Sequence, residues 1–285
     1  MEKSIVLPAF FPDTINSIKS IKGALDYLLQ FNIKWIEFYY TKGKDKKLKK
    51  LLSTYDYNYI YLGAMHAKLN NLNISSVNDS LREKSVEELK TCIDNAKYYG
   101  ANRLLINSGR KPDEKKNNKK SYQLLMNSLD ELNYYNNIIN KKPIAINLEP
   151  GDDNIDSFSL IGNSDLALNL VQKLKYLNLT LDISHILQLK EDPYLVIKKC
   201  FEYTDHIHLA NCVIKNKKSK LYGDKHPIFD QIEGELSTEQ IIKIFNFIKK
   251  QFNNNSLIIG LEVINREDTG INYLNKYKSK LDWFL

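Results

Sequence analysis

Arginine, cysteine and long apolar runs are what this chain has least of. Among 41 Lys and Arg residues only Arg82, Arg103, Arg110 and Arg266 are arginines. A protein that grips a polyanion favours guanidinium, whose planar fork meets two phosphate oxygens at once. The net charge of +7 and pI near 9.0 would otherwise invite a nucleic-acid partner through counterion release. Here the excess Lys travels with abundant Asn, Ile and Tyr, the mark of an AT-rich coding bias, and reads as a solvated positive face. Nucleic acid is therefore disfavoured as a partner. The 3 cysteines, Cys92, Cys200 and Cys212, are odd in number, widely spaced and without a CxxC pair. That excludes a disulfide framework and a thiolate zinc site, and fits a reducing compartment. The opening MEKSIVLPAF is too short an apolar run for a signal peptide, and no later stretch approaches the roughly 18 apolar residues that span a bilayer. A cytoplasmic protein with no membrane partner is expected. No GxGxxG follows the first strand and no Pro/Gly/Ser-rich linker divides the chain, so one domain over residues 1–285 is expected. A hydrophobic fraction of 43% and a charged fraction of 26% exclude disorder.

What the chain does have is rhythm. Short apolar, β-branched runs recur with helical periodicity between them, the alternation of a parallel sheet. Strands are predicted at 4–10, 34–39, 59–66, 103–107, 143–149, 179–184, 206–210 and 257–263. Helices are predicted at 14–31, 44–54, 79–99, 121–140, 163–177, 192–203, 237–252 and 270–284. Asn163 or Ser164 caps the fifth, and Ser237 with Gln240 forms a capping box ahead of the seventh. Eight βα units of this length predict an α/β fold, a single closed (β/α)8 TIM barrel, over an open doubly wound sheet. Residues 110–120 read as a solvated βα loop. Residues 215–234 form a longer one, and structureless loops beyond about 12–15 residues are uncommon unless they serve a site.

In such a barrel the chemistry sits at the C-terminal ends of the strands. The predicted ends carry Glu37, His66, Asn107, Glu149, Asp182 with His185, His208 and Glu262, and the long loop adds Asp224 and His226. All five histidines, these four and His206, fall at that face. Glu149 and Glu262 close the apolar runs PIAINL and LIIGL, where an isolated carboxylate is costly unless paired or metal-bound. A salt bridge explains one such Glu better than two, joined by Asp182 and His208 on converging strands. Three carboxylates and an imidazole favour a divalent ion such as Mn²⁺, Mg²⁺, Co²⁺ or Zn²⁺. His206 and His208 share one strand face; His208 is expected to be the ligand and His206 to pack beside it.

With Glu149, D-x-x-H at 182–185, HIHLAN at 206–211, D-x-H at 224–226, GEL at 234–236 and Glu262 in this order, the chain resembles the xylose isomerase-like TIM-barrel superfamily. That group includes sugar isomerases and epimerases as well as endonuclease IV. The resemblance implies one metal held by Glu149, Asp182, His208 and Glu262, with Glu149 and Glu262 also exchanging protons with a small polyhydroxylated substrate through an enediolate. It implies that His185 binds a substrate oxygen and that Glu37, His66, Asn107 and His226 line the sugar pocket. A lyase or C-glycoside-cleaving enzyme on this scaffold would differ only in what leaves after deprotonation. In endonuclease IV a multi-zinc cluster matches His66, Glu149, Asp182, His185, His208, Asp224, His226 and Glu262. Asn107 departs from that pattern where a His ligand stands, which argues against three metals. His185, Asp224 and His226 leave one or two ions per chain open. Many relatives form dimers or tetramers, so a homo-oligomer is implied as well.

Overall fold

The computed structural model describes residues 1–139, 142–253, 256–264 and 270–285. Eight strands, β1 (Glu2–Val6), β2 (Trp35–Phe38), β3 (Asn58–Leu62), β4 (Arg103–Asn107), β5 (Ala145–Glu149), β6 (Leu177–Asp182), β7 (Thr204–Leu209) and β8 (Ile258–Leu261), pair in sequence order and close into a barrel. All pairings are parallel, with β8 returning to β1. Closure leaves no open sheet edge. The fold is the expected (β/α)8 barrel.

Outer helices follow the strands at Ile18–Leu28, Lys46–Leu52, Asp79–Tyr99, Asn118–Ile139, Ser164–Lys173, Pro193–Cys200, Thr238–Gln251 and Gly270–Leu281. Their starts are set by local side chains that accept backbone N–H groups: Ser17, Asp45, Asn78, Asn163, Asp192 and Ser237. Asn163 rather than Ser164 caps its helix, and the Ser237–Gln240 capping box is present. Residue 140, where the fourth helix was expected to end, lies outside the described residues, as does Arg266.

Side chains alternate across each strand. Ile5, Ile36, Leu104, Ile106 and Leu148 are completely buried in the apolar core. The barrel interior is instead polar at both ends of its axis. Near the strand N-termini Asp205 accepts from Asn147 at 2.6 Å and Asn178 at 2.9 Å and is paired with Arg103, so this guanidinium is consumed in the fold. At the other end register sets Asn107 beside Glu149, and His208 beside both Asp182 and Gly260.

Three predicted strands give way to helix before their expected ends. After β1, β3 and β6 the chain turns at once into short helices, Leu7–Phe10, Gly63–Leu69 and Ile183–Gln188. A short buried apolar run has no periodicity to separate strand from helix, so LPAF and ISHIL carry both readings. Local chemistry decides. Pro8 sits in a first turn, where its missing N–H is harmless, and the Asp182 carboxylate accepts from Ser184 N at 2.6 Å and His185 N at 3.1 Å. His66 and His185 therefore stand on helices, not strands. No helix among the described residues is long and apolar enough to cross a membrane.

Candidate metal centre and the cavity above it

Glu149 ends β5, Asp182 ends β6, His208 lies one residue before the end of β7, and Glu262 follows β8 directly. One ligand-type atom from each of the four lies within 4.8 Å of all the others. His208 Nδ1 is 2.9 Å from Glu149 Oε1, 3.1 Å from Glu262 Oε2 and 3.8 Å from Asp182 Oδ2. Asp182 spends Oδ1 on capping its helix, which leaves Oδ2 buried without a hydrogen-bond partner and turned to the cluster.

The other ring nitrogen of His208 is held from beneath. Its Nε2 lies 2.9 Å from Glu37 Oε2, and Glu37 Oε1 takes hydrogen bonds from Ser4 Oγ at 2.5 Å and His206 Nε2 at 3.1 Å. His206 is completed by Thr180 Oγ1, 3.1 Å from its Nδ1. Burial alone would push the Glu37 carboxyl up, but the His206 and His208 imidazoles overcome it and hold it far below its ordinary value. An ionised Glu37 fixes the proton of His208 on Nε2 and presents the Nδ1 lone pair upward, the usual way a carboxylate orients a ligating imidazole. Gly260 makes room for this pair, since a Cβ there would lie 2.5 Å from Glu37 Oε1 and 2.8 Å from His208 Cδ2.

The donor set fits a divalent cation. Among the described residues no Lys or Arg pairs with Glu149, Asp182 or Glu262; only imidazoles lie within ion-pair distance of them. Three carboxylates sharing one point require a positive charge there, and oxygen with imidazole nitrogen suits Mn²⁺, Mg²⁺, Co²⁺ or Zn²⁺.

Beside this centre stand His185, Asp224 and His226. Ligand-type atoms of Asp182, His185 and His226 also lie within 4.8 Å of one another, and His185 Nδ1 and His226 Nδ1 are buried without partners. Asp224 is engaged already: it pairs with His226 Nε2, and its Oδ2 is 3.5 Å from Lys68 Nζ. Burial would lower the His226 imidazole, yet Asp224 above all, with Glu262, raises it to about 10. The loop that carries this pair is gripped by Asp156, whose Oδ2 accepts from Asp224 N and Lys225 Nζ, both at 2.9 Å. Asp152 in turn shapes the segment that presents Asp156, accepting backbone N–H groups of Asn154, Ile155, Asp156 and Ser157.

A cavity of about 630 Å³ opens above, with Glu149, His185, His208, Asp224, His226 and Glu262 in its wall and Asn107 beside them. That volume lies within the roughly 300–1,000 Å³ of small-molecule sites. Two residues expected at the pocket are not there. Glu37 is completely buried beneath His208, drawn down by the imidazoles it serves. His66 is turned away by its helix, with Nδ1 2.8 Å from Tyr39 Oη and Nε2 2.9 Å from Glu88 Oε2. Sequence reasoning missed Ser4, Asp152 and Asp156. Ser4 was detectable as the polar residue alternating with Val6 on the inward face of an apolar strand. Asp152 was signalled by its place in the turn-forming stretch PGDDN.

The family model described as xylose isomerase-like TIM barrel matches residues 25–284. No curated protein matches the chain by sequence. Among solved structures, a D-tagatose 3-epimerase-like protein superposes with a TM-score of 0.72 at 18% identity, covering 99% of this chain and 98% of that one. D-psicose 3-epimerase from Clostridium cellulolyticum H10, solved with D-tagatose, gives 0.71 at 11% identity with the same coverage, 99% and 98%. The 3-keto-D-glucoside 4-epimerase of E. coli gives 0.68 at 14% identity, again over 99% and 98%. At these identities the likeness shows the fold. The match of the family model across most of the length goes further: this chain belongs to the xylose isomerase-like TIM-barrel family.

Proposed function

We propose that this protein is a divalent-metal-dependent isomerase or epimerase of a small polyhydroxylated substrate. The observation that carries the reading is the pair Glu149 and Glu262, two carboxylates that meet at the candidate metal position and both face the cavity. The similarity to structures of sugar epimerases supports the same reading.

Glu149, Asp182, His208 and Glu262 would hold the ion, which supplies Lewis acidity toward carbonyl and hydroxyl oxygens and so acidifies the adjacent C–H. One glutamate accepts the proton from that carbon and a glutamate returns it. Return at the same carbon from the other face inverts it, and return at the neighbouring carbon shifts the carbonyl. His185 and His226 bring ring nitrogens without hydrogen-bond partners to the cavity wall, where they orient substrate oxygens. Asn107 offers an amide at the level of Glu149.

An abasic-site endonuclease draws less support. Arg103 is paired with Asp205 at the base of the barrel, Arg82 lies 4.0 Å from Asp79 and 3.7 Å from Glu83, and Arg110 alone of the described arginines borders the cavity. A grip on duplex phosphates needs more.

The test is turnover of a panel of free, phosphorylated and acidic ketoses and aldoses by the metal-loaded protein, followed by NMR. Glu149→Gln and Glu262→Gln should each lower the rate by about 10²- to 10⁴-fold. Full activity in either variant would contradict its role, and cleavage of abasic duplex would replace the reading.

A further inference from the structure

Three cations border the cavity, Lys68, Arg110 and Lys225. Two are neutralised: Lys68 Nζ is 3.5 Å from Asp224 Oδ2 and Lys225 Nζ is 2.9 Å from Asp156 Oδ2. Arg110, exposed at the mouth, has no carboxylate within ion-pair distance among the described residues.

Its position is nevertheless built with care. Arg110 bridges Ser159 in an antiparallel contact, flanked by hydrogen bonds from Lys111 N to Phe158 O at 2.8 Å and from Leu160 N to Gly109 O at 3.0 Å. The carbonyl of Arg110 accepts from Asn73 Nδ2 at 2.9 Å. Gly109 before it has φ +78 and would place a Cβ 2.2 Å from Asn73 Oδ1, so this turn admits only glycine. The guanidinium lies over the Phe158 ring, its Cζ 4.8 Å from the centroid. Phe158 itself adopts φ +49, a conformation a bulky residue takes only when its surroundings enforce it. The cation–π contact holds the guanidinium against the ring, and no hydrogen bond from it to a described residue competes for its N–H groups. The neighbouring Lys111 is different, since its ammonium is spent on the Asp153 carbonyl.

An arginine held against an aromatic ring and left without a carboxylate partner among the described residues, at the rim of an acidic cavity, is arranged for an anion. We propose that Arg110 is an anion-binding subsite and that the substrate carries a phosphate or carboxylate at the end remote from Glu149 and Glu262. The substrate class rests on the isomerase reading; the subsite itself does not. Arg110 follows Asn107 by three residues, a reach of at most about 11 Å, and Asn107 is level with Glu149. The subsite and the metal centre thus border one cavity of about 630 Å³. The acidic floor repels an anionic tail while Arg110 attracts it, so the same charges orient the substrate.

The experiment measures binding, by titration calorimetry on the metal-loaded protein, of a ketohexose, its terminal phosphate ester and the matching sugar acid. Wild type should bind the ester or the acid about 10- to 100-fold more tightly than the neutral sugar, the factor expected of one charged hydrogen-bonded pair. Whichever anion gains more identifies the class. In Arg110→Gln the ratio should fall to about one, and in Arg110→Lys it should recover in part, because charge returns without the fork. Lys111→Gln should leave the ratio as in wild type. A ratio of one in wild type, or a ratio retained in Arg110→Gln, overturns the proposal. A ratio that follows Arg110 while none of the three compounds is turned over keeps the subsite and removes the isomerase reading.

Discussion

Glu37 never reaches the cavity, yet the candidate metal centre leans on it. It shares its two oxygens between Ser4, His206 and His208, and through Nε2 it decides which nitrogen of His208 faces the three carboxylates. Glu37→Gln should weaken metal affinity by about 10- to 100-fold, as loss of a ligand's supporting partner does, and saturating metal should restore the site. A metal titration followed by calorimetry checks this; unchanged affinity would mean that His208 is oriented by something else. The same residue marks the limit of what sequence can tell. Glu149, Asp182, His208 and Glu262 were legible because each places a titratable group at the end of an apolar run. Glu37 carries the same signal, but its task is set by a partner 171 positions away, and only barrel closure reveals that it points below the site instead of into it.

At the scale of elements, strands and loops hold the ligands at one height. Gly260 on β8 is the spacer that lets Glu37 and His208 meet, so Gly260→Ala forces a methyl into contact with both. Overpacking of this kind costs about 1–3 kcal/mol, and denaturant unfolding should show it together with weaker metal binding. The loop after β5 depends on Asp152. Burial disfavours its charge, but backbone N–H groups of Ile155, Ser157 and Asn154 prevail and hold the carboxyl below its ordinary value. A depressed folded-state pKa stabilises the loop above the unfolded value of about 3.9, and that contribution is lost as pH falls through the lower folded value. Protection of the amides at 154–157, taken relative to the intrinsic exchange rate at each pH, should therefore fall in acid in wild type and be low already near neutrality in Asp152→Asn. Equal protection in the two proteins would deny Asp152 this role. Element order and caps were readable because βα alternation and Ser237–Gln240 spacing are local. The helices Gly63–Leu69 and Ile183–Gln188 were not, because apolar runs that are buried either way look alike, and with the first of them went the placement of His66.

For the molecule as a whole, the barrel converges four side chains from the ends of four strands on one point, and a cation bound there would tie these strands together. Saturating metal should stabilise the fold by about 2.7 kcal/mol at a hundredfold excess over Kd, seen as a rise in melting temperature that Asp182→Ala abolishes. Because Asp224 is already engaged by His226 and Lys68, one ion per chain is expected rather than two.

Deuterium wash-in tests the central claim most directly. If Glu149 and Glu262 move a proton at the carbon beside a carbonyl, the metal-loaded protein in D2O will place deuterium at that carbon of a sugar it accepts. Glu149→Gln with Glu262→Gln will abolish the exchange even at a metal concentration shown by calorimetry to saturate the variant. Exchange that persists in the doubly substituted protein, or conversion of the sugar without any deuterium entering its C–H bonds, would contradict proton transfer by these two residues.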